Sequence, residues 1–447
     1  MRLGAEFTKK RVRKGFASVE DLRQHIEAGT ADEVPSANAA SGLKTCQKIS
    51  AEKQWSHPRW VRINTIKTTM KEQLNTTFAD YKPIESLEQL LKIYPSQDNK
   101  LLHVDTHVPN LIALPPSADL SKSSAYLNGQ VILQDKASCF PAYLLDPTPD
   151  DGDCVDACAA PGNKTTHLAA IMQYEDATRK PTIYACERDK HRASTLERMV
   201  HTAGAQTNVV IKASQDFLRT NPAQPPWNNV GALLLDPSCS GSGIIGRSET
   251  LEVVLPRMEK KEIFTPRSQK RKRKAPAKSN VVDAETTDVP EEIPISETEV
   301  PDRLSVRLAA LSTFQLKLLL HAFEFPKARK ITYSTCSLYA EENEHVVMKA
   351  LGLPTAKRRG WNILRRNEQV SGMRAWAIRG DLQACKEVMD GEGVEQIAEA
   401  CIRCEMGTKE GTQGFFVAAF VRDGDEENQR ESSEEEWDGC SDDGGGS

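Results

Sequence analysis

A chain of 447 residues with 39% hydrophobic and 27% charged side chains can bury a sizeable core, in one large domain or two to three ordinary ones. No apolar run approaches the roughly 20 residues that cross a bilayer, and the start, MRLGAEFTKKRVRKG, lacks the apolar stretch of a secretory signal. The net charge of −5 hides an asymmetry: residues 423–447 hold eleven acids and one arginine, which leaves +5 on residues 1–422 and a mildly basic body suited to a polyanionic partner.

Residues 1–120 read as a smaller unit of mixed helix with one extended stretch, PRWVRINTIKT (58–68), whose Arg59, Trp60 and Arg62 could meet nucleic acid through charge and stacking. Beyond it, short apolar runs alternate with amphipathic ones. Strands are predicted at DCVDAC (153–158), TIYACE (182–187), TNVVIKA (207–213), GALLLDP (231–237), KITYST (330–335) and GFFVAAFV (414–421). Helices are predicted at TTHLAAIMQ, DKHRASTLERMVHTAG, LSVRLAALSTFQLKLLLHAF and AEENEHVVMKALG. This alternation implies a doubly wound α/β fold, a mostly parallel sheet covered on both faces, whose ligands bind beyond the carboxyl ends of the strands.

Two stretches fall outside that pattern. RSQKRKRKAPAK (267–278) has seven basic residues, and VVDAETTDVPEEIPISETEVPD (281–302) has eight acidic ones, so about 265–300 reads as a disordered charged insertion. The acidic, Ser/Gly-rich segment 423–447 reads as a disordered tail. Eleven cysteines scattered singly along a long chain fit a reducing compartment, and the one C-x-x-C, Cys401 with Cys404, reads as structural thiols rather than half a metal site.

The strand exits carry the chemistry. DACAAPGNKT (156–165) places a Pro-Gly turn between a strand and a helix, where a ligand can approach bare backbone N–H groups. It is neither a Walker A loop, since Cys158 holds the first glycine position and Asn163 precedes Lys164, nor a G-x-G-x-x-G fingerprint. Glu187, at the end of the second strand, suits a ribose diol. The fourth strand exits at Asp236-Pro237-Ser238-Cys239 and the fifth at Tyr333-Ser334-Thr335-Cys336-Ser337, which puts two thiols in polar turns at one sheet edge. The residues alone do not say which thiol attacks.

DACAAPGNKT, DPSCSGSG and ITYSTCSLYAEENE, in this order, resemble the cofactor loop, fourth motif and sixth motif of the RNA (cytosine-5) methyltransferases of the Sun/Nop type, and PRWVRINT and GTQGFFVAAFVR match as well. DPSCSGSG, where most of that family has Asp-Ala-Pro-Cys, is similar to the eukaryotic subgroup that modifies large-subunit ribosomal RNA. The charged insertion, the acidic tail and an N-terminus shorter than the family's helical region are departures. The resemblance implies a seven-stranded Rossmann-like methyltransferase sheet over 121–422, a helical and RNA-binding unit over 1–120, and S-adenosylmethionine as cofactor. It gives Cys158, Ala159, Ala160, Pro161, Gly162, Asn163 and Lys164 as the cofactor's cradle, Glu187 as the ribose ligand, Arg192 as a further contact, and Asp216 as a reach toward adenine. It makes Cys336 the nucleophile, Asp236 the partner of the cytosine N3 and a neighbour of the methyl donor, and Cys239 the residue that assists release. The expected protein is a monomeric nuclear, nucleolar enzyme acting on ribosomal RNA or a pre-ribosome, with no membrane contact and no metal. Transfer RNA as substrate is a rival reading, as is a ribosome-assembly factor using the fold mainly to bind RNA. A dinucleotide oxidoreductase lacks the glycine fingerprint and leaves two thiols without a role.

Overall fold

Leu233, Leu234 and Leu235 lie in a strand with no exposed position, Val230–Leu235, because this strand has a neighbour on each edge and helices on each face. The computed structural model describes residues 57–91, 100–173, 181–244, 303–389 and 391–422. The expected insertion at 265–300, the tail at 423–447 and residues 1–56 lie outside the described residues.

A first sheet is formed by β1 (Arg59–Ile63), β2 (Lys82–Pro83), β3 (Leu101–Val104), β4 (Leu111–Leu114) and β5 (Val131–Leu133), in the order β2-β3-β4-β1-β5. The helical character expected for residues 1–120 is therefore corrected for the described part: two short helices decorate a sheet. Strands of two to five residues are too short to announce themselves by alternation. The sheet also continues past residue 120, since β5 pairs antiparallel with β1.

The second sheet holds β6 (Asp153–Asp156), β7 (Ile183–Glu187), β8 (Val209–Ala213), β9 (Val230–Leu235), β10 (Lys330–Thr335), β11 (Asn362–Ile363), β12 (Ile402–Cys404) and β13 (Phe415–Val421). Seven of them run in the order β11-β13-β10-β9-β6-β7-β8, and β12 adds an eighth by pairing with β13. The five strands from β8 to β10 are parallel, while β13 lies antiparallel to β10. Five parallel neighbours bring five carboxyl ends to one edge, and β6, β7, β9 and β10 carry the predicted site motifs there.

Helices α1 (Lys136–Leu145), α2 (Asn163–Ile171), α3 (Lys190–Ala203), α4 (Arg303–Phe323) and α5 (Glu344–Gly352) matter most for the site. The buried positions of α4, Leu308, Leu311, Gln315, Leu318, Leu319, Ala322 and Phe323, fall at helical spacing, with one glutamine inside the apolar stripe. The two sheets share a core: Trp60 of β1, Phe140 of α1, Trp376 and Val417 of β13 pack in one cluster. The N-terminal sheet packs on the second sheet through this cluster, so the described residues form one compact body. Buried Arg62 adds a polar tie, donating to Gln134 at 2.7 Å and to Thr166 of α2 at 3.0 Å.

Candidate active site

Two clefts open at the carboxyl edge of the parallel strands. The first, about 510 Å³, is lined by Ala157, Cys158 and Ala160 after β6, Glu187 and Arg192 after β7, and Asp216 and Phe217 after β8. The second, about 540 Å³, lies between the sheets and is lined by His57, Trp60, Gln134, Ser138, Asn163, Lys164 and Phe415 among others. Asp236, Pro237, Cys239 and Cys336 line both. The thiols and the carboxylate therefore stand in the wall where the clefts meet.

The first cleft is shaped by the turn after β6. Asp156, buried at the end of that strand, accepts from Thr165 Oγ1 at 2.7 Å and from the Cys158 N–H at 3.3 Å, which folds the loop back on the start of α2. Burial, reinforced by the nearby Asp236 charge, pushes the Asp156 carboxyl up to about 6. Gly162 heads α2 at φ +112°, a left-handed conformation that disfavours a side chain. Glu187 is buried, accepts the Asp189 N–H at 2.8 Å, and sits 3.5 Å from Arg192, which also donates to the Ala160 carbonyl at 2.8 Å. Apolar Phe217, Phe314 and Leu318 face this cleft with the carboxylates of Glu187 and Asp216. Flat apolar surface beside acceptors at strand exits suits a nucleoside with a free diol.

At the shared wall, the sulfurs of Cys239 and Cys336 are 3.1 Å apart although 97 positions separate them in sequence. Asp236 is held on both oxygens: Ser334 Oγ donates to Oδ1 at 2.7 Å, and Lys164 Nζ lies 2.7 Å from Oδ2. Lys164 also donates to Ser138 Oγ at 3.1 Å. Burial works against its charge, but Asp236, helped by Cys336 and Asp156, outweighs burial and raises its proton affinity. The Cys239 thiol is pushed well above its usual range, first by its hydrogen bond to Cys336 and then by burial. Cys336 also lies close enough to the Lys164 ammonium to act on its charge.

The loops carrying the thiols are zipped together by close backbone contact. The Gly243 N–H donates to the Cys336 carbonyl at 3.0 Å, and the Gly414 N–H to the Gly243 carbonyl at 2.8 Å. A Cβ on Gly243 would lie 2.2 Å from the Gly414 oxygen, which explains the second glycine of CSGSG.

Comparison with known proteins agrees with this architecture. The family model "16S rRNA methyltransferase RsmB/F" matches residues 142–275, and "NOL1/NOP2/Sun domain family member 5, ferredoxin-like domain" matches residues 57–134. The chain is 38% identical over 378 residues to the 25S rRNA (cytosine-C(5))-methyltransferase rcm1 of Schizosaccharomyces pombe, covering 84% of this chain and 66% of that one. It is 30% identical over 426 residues to a 28S rRNA (cytosine-C(5))-methyltransferase of Mus musculus, covering 94% of this chain and 70% of the mouse protein. The chain belongs to the Sun/Nop family of rRNA cytosine-C5 methyltransferases. It spans just under two thirds of the length of the first of these relatives. A solved methyltransferase homologue from Pyrococcus horikoshii shares the fold, with TM-score 0.52 and 19% identity over 82% of this chain and 87% of that one.

Within this family fold, the residues expected in the site divide unevenly. Cys158, Ala160, Glu187, Arg192 and Asp216 line the first cleft, with Asp236 at its border. Ala159 is buried behind the loop, its N–H bonded to the Cys186 carbonyl, and Pro161 is exposed. Asn163 and Lys164 line the second cleft instead. Lys164 reaches from α2 to Asp236. Sequence reasoning did not single out Ser334, Ser138 or Gln134 as part of the site. A serine inside the buried strand KITYST and a polar Gln-Asp pair before an apolar helix were the available signals.

Proposed function

We propose that this protein methylates carbon 5 of a cytosine in large-subunit ribosomal RNA, using S-adenosylmethionine and a covalent cysteine adduct. The observation that carries the reading is the pair of sulfurs 3.1 Å apart in a wall common to two clefts. A reaction joining a cofactor to a base needs such a wall, with each reactant on its own side. The family relationship supports the substrate class.

The first cleft fits the cofactor: the Glu187 carboxylate suits the ribose diol, Phe217 and Leu318 an adenine face, and the turn at 157–160 the amino-acid end. S-adenosylmethionine bound there would supply an electrophilic methyl group for carbon 5. In the second cleft, Cys336 would add to carbon 6 of the cytosine, forming a C–S bond and pushing the C5–C6 π electrons into the ring. Asp236, fixed by Ser334, would meet the N3 edge, with Lys164 offsetting the charge that develops there. Once water takes the carbon-5 proton, the C5–H electron pair re-forms the C5–C6 double bond, the C–S bond breaks, and its own electron pair leaves with sulfur as thiolate. Cys239, at hydrogen-bond distance, would assist that departure. The target base must leave its stack to reach this wall, and the nucleolus is the compartment the reading implies.

The test compares purified Cys336→Ala, Cys239→Ala and the double variant on ribosomal RNA, scoring methyl transfer and a denaturant-resistant protein–RNA band. Cys336→Ala should give neither methyl transfer nor the band, Cys239→Ala should accumulate the band, and the double variant should show none. Turnover by Cys336→Ala, or a Cys336-independent adduct in Cys239→Ala, overturns the assignment.

A further inference from the structure

Three consecutive side chains, Glu342, Asn343 and Glu344, are fully buried at the junction between a short 3-10 turn and α5. Polar groups are costly to bury unless each finds partners, and each of these finds them on a different segment. Both Glu342 oxygens accept the Ser240 N–H, at 3.0 and 3.2 Å, and Oε1 also accepts from Gln315 Nε2 at 2.9 Å. The same Gln315 nitrogen donates to the Ser238 carbonyl at 3.1 Å. The residues on either side of Cys239 are thus both held, one by Glu342 and one by Gln315.

Asn343 does the same for the other thiol. Its Oδ1 accepts from Thr335 Oγ1 at 2.5 Å and its Nδ2 donates to the Ser337 carbonyl at 3.0 Å, one residue to each side of Cys336. Asn343 occupies the N-cap position of α5, yet its side chain makes no cap bond, although capping is what asparagine ordinarily does there. Glu344 turns away from the thiols and grips Arg403 at 2.6 and 2.5 Å, anchoring the junction to β12.

We propose that Glu342 and Asn343 are positioning residues that set the spacing of the two thiols, Glu342 with Gln315 acting through Cys239 and Asn343 acting through Cys336. Two loops 97 positions apart are thereby registered by neighbours joined through one peptide bond. This division of labour rests on the catalytic reading above only for its kinetic consequence. Loosening Cys239 should impair release, and loosening Cys336 should impair attack.

The experiment measures position and kinetics separately. Alkylation by iodoacetamide, followed by mass spectrometry, reads Cys239 in a Cys336→Ala background and Cys336 in a Cys239→Ala background, each with Glu342→Gln or Asn343→Asp added. Both substitutions preserve size, and an unchanged melting temperature with unchanged cofactor affinity certifies the fold. Glu342→Gln should change the Cys239 rate by at least about fivefold and leave Cys336 within about twofold; Asn343→Asp should do the reverse, because reactivity follows the local field and access of each sulfur. Parallel changes at both thiols, or none, overturn the proposal. The kinetic arm asks whether Glu342→Gln, with both cysteines present, accumulates the RNA adduct while Asn343→Asp lowers its yield. If Cys239→Ala forms no adduct, the catalytic reading fails while the alkylation pattern still decides the clamp. If Cys239→Ala forms it and Glu342→Gln changes neither alkylation nor adduct, the clamp alone is refuted.

Discussion

The two clefts that meet at Cys239 and Cys336 are built in opposite ways. The first cleft takes its walls from successive strand exits: Ala157, Cys158 and Ala160 after β6, Glu187 at the end of β7 and Arg192 beyond it, Asp216 and Phe217 after β8, and Asp236 and Cys239 after β9. Exits of neighbouring parallel strands fall side by side, so this cleft follows from topology and short local motifs. The second cleft gathers His57 and Trp60 from the head of the N-terminal sheet, Gln134 and Ser138 around the start of α1, Lys164 from α2 and Phe415 from β13. No regular connection joins these pieces; the shared core beneath Trp60, Phe140 and Trp376 does. One cleft is a property of the sheet, the other of how two sheets pack.

Lys164 gives the hardest test of that division, since the resemblance puts it in the cofactor loop while its side chain lines the second cleft. Lys164→Met should lower kcat/KM for RNA by roughly 10²–10³-fold, the usual loss for one group stabilising developing charge, with cofactor affinity within about twofold. Calorimetry showing a large loss of S-adenosylmethionine affinity would return Lys164 to the cradle and erase the boundary.

The turn after β6 should carry a pH signature of its own. A carboxyl raised from 3.8 to about 6 contributes stability fully present below about pH 4 and lost as pH rises through 6. At about 1.36 kcal/mol per unit this amounts to about 3 kcal/mol. Asp156→Asn cannot ionise, so its stability relative to the parent should climb by up to that amount between pH 4 and pH 8, read from urea unfolding at each pH. Parallel curves would mean that burial does not govern this carboxyl.

Glu187→Ala should weaken cofactor binding by about 1.5–3 kcal/mol, roughly 10- to 150-fold, while the rate of adduct formation with RNA at saturating cofactor is unchanged. Equal losses in both assays would show that the clefts are one site. The smallest effect is expected where the sheets are sewn together. Trp60→Phe removes the Nε1 bond to the Gly411 carbonyl at 2.7 Å, worth about 1 kcal/mol. A matching fall in unfolding free energy, with unchanged cofactor affinity, is the outcome that fits packing control of the base side alone.

Within the described residues, the sequence was sufficient for six of the eight strands of the doubly wound sheet; β11 and β12, of two and three residues, carry no period. Six strands and four helices were written as runs whose period and burial agree, because a parallel strand is apolar throughout and its covering helix is apolar on one face. The exits of those strands place Glu187, Asp236, Cys239 and Cys336 at one edge. What short local patterns cannot encode is which distant groups meet. The N-terminal sheet, made of strands two to five residues long, carried no readable period. The side of the wall on which Lys164 stands depends on a side chain crossing from α2 to β9. The 3.1 Å contact of the two thiols joins loops that Glu342, Gln315 and Asn343 hold from between. Periodicity is local and survives in one dimension; electrostatic environment is a sum over neighbours in three, and only the packed chain supplies it.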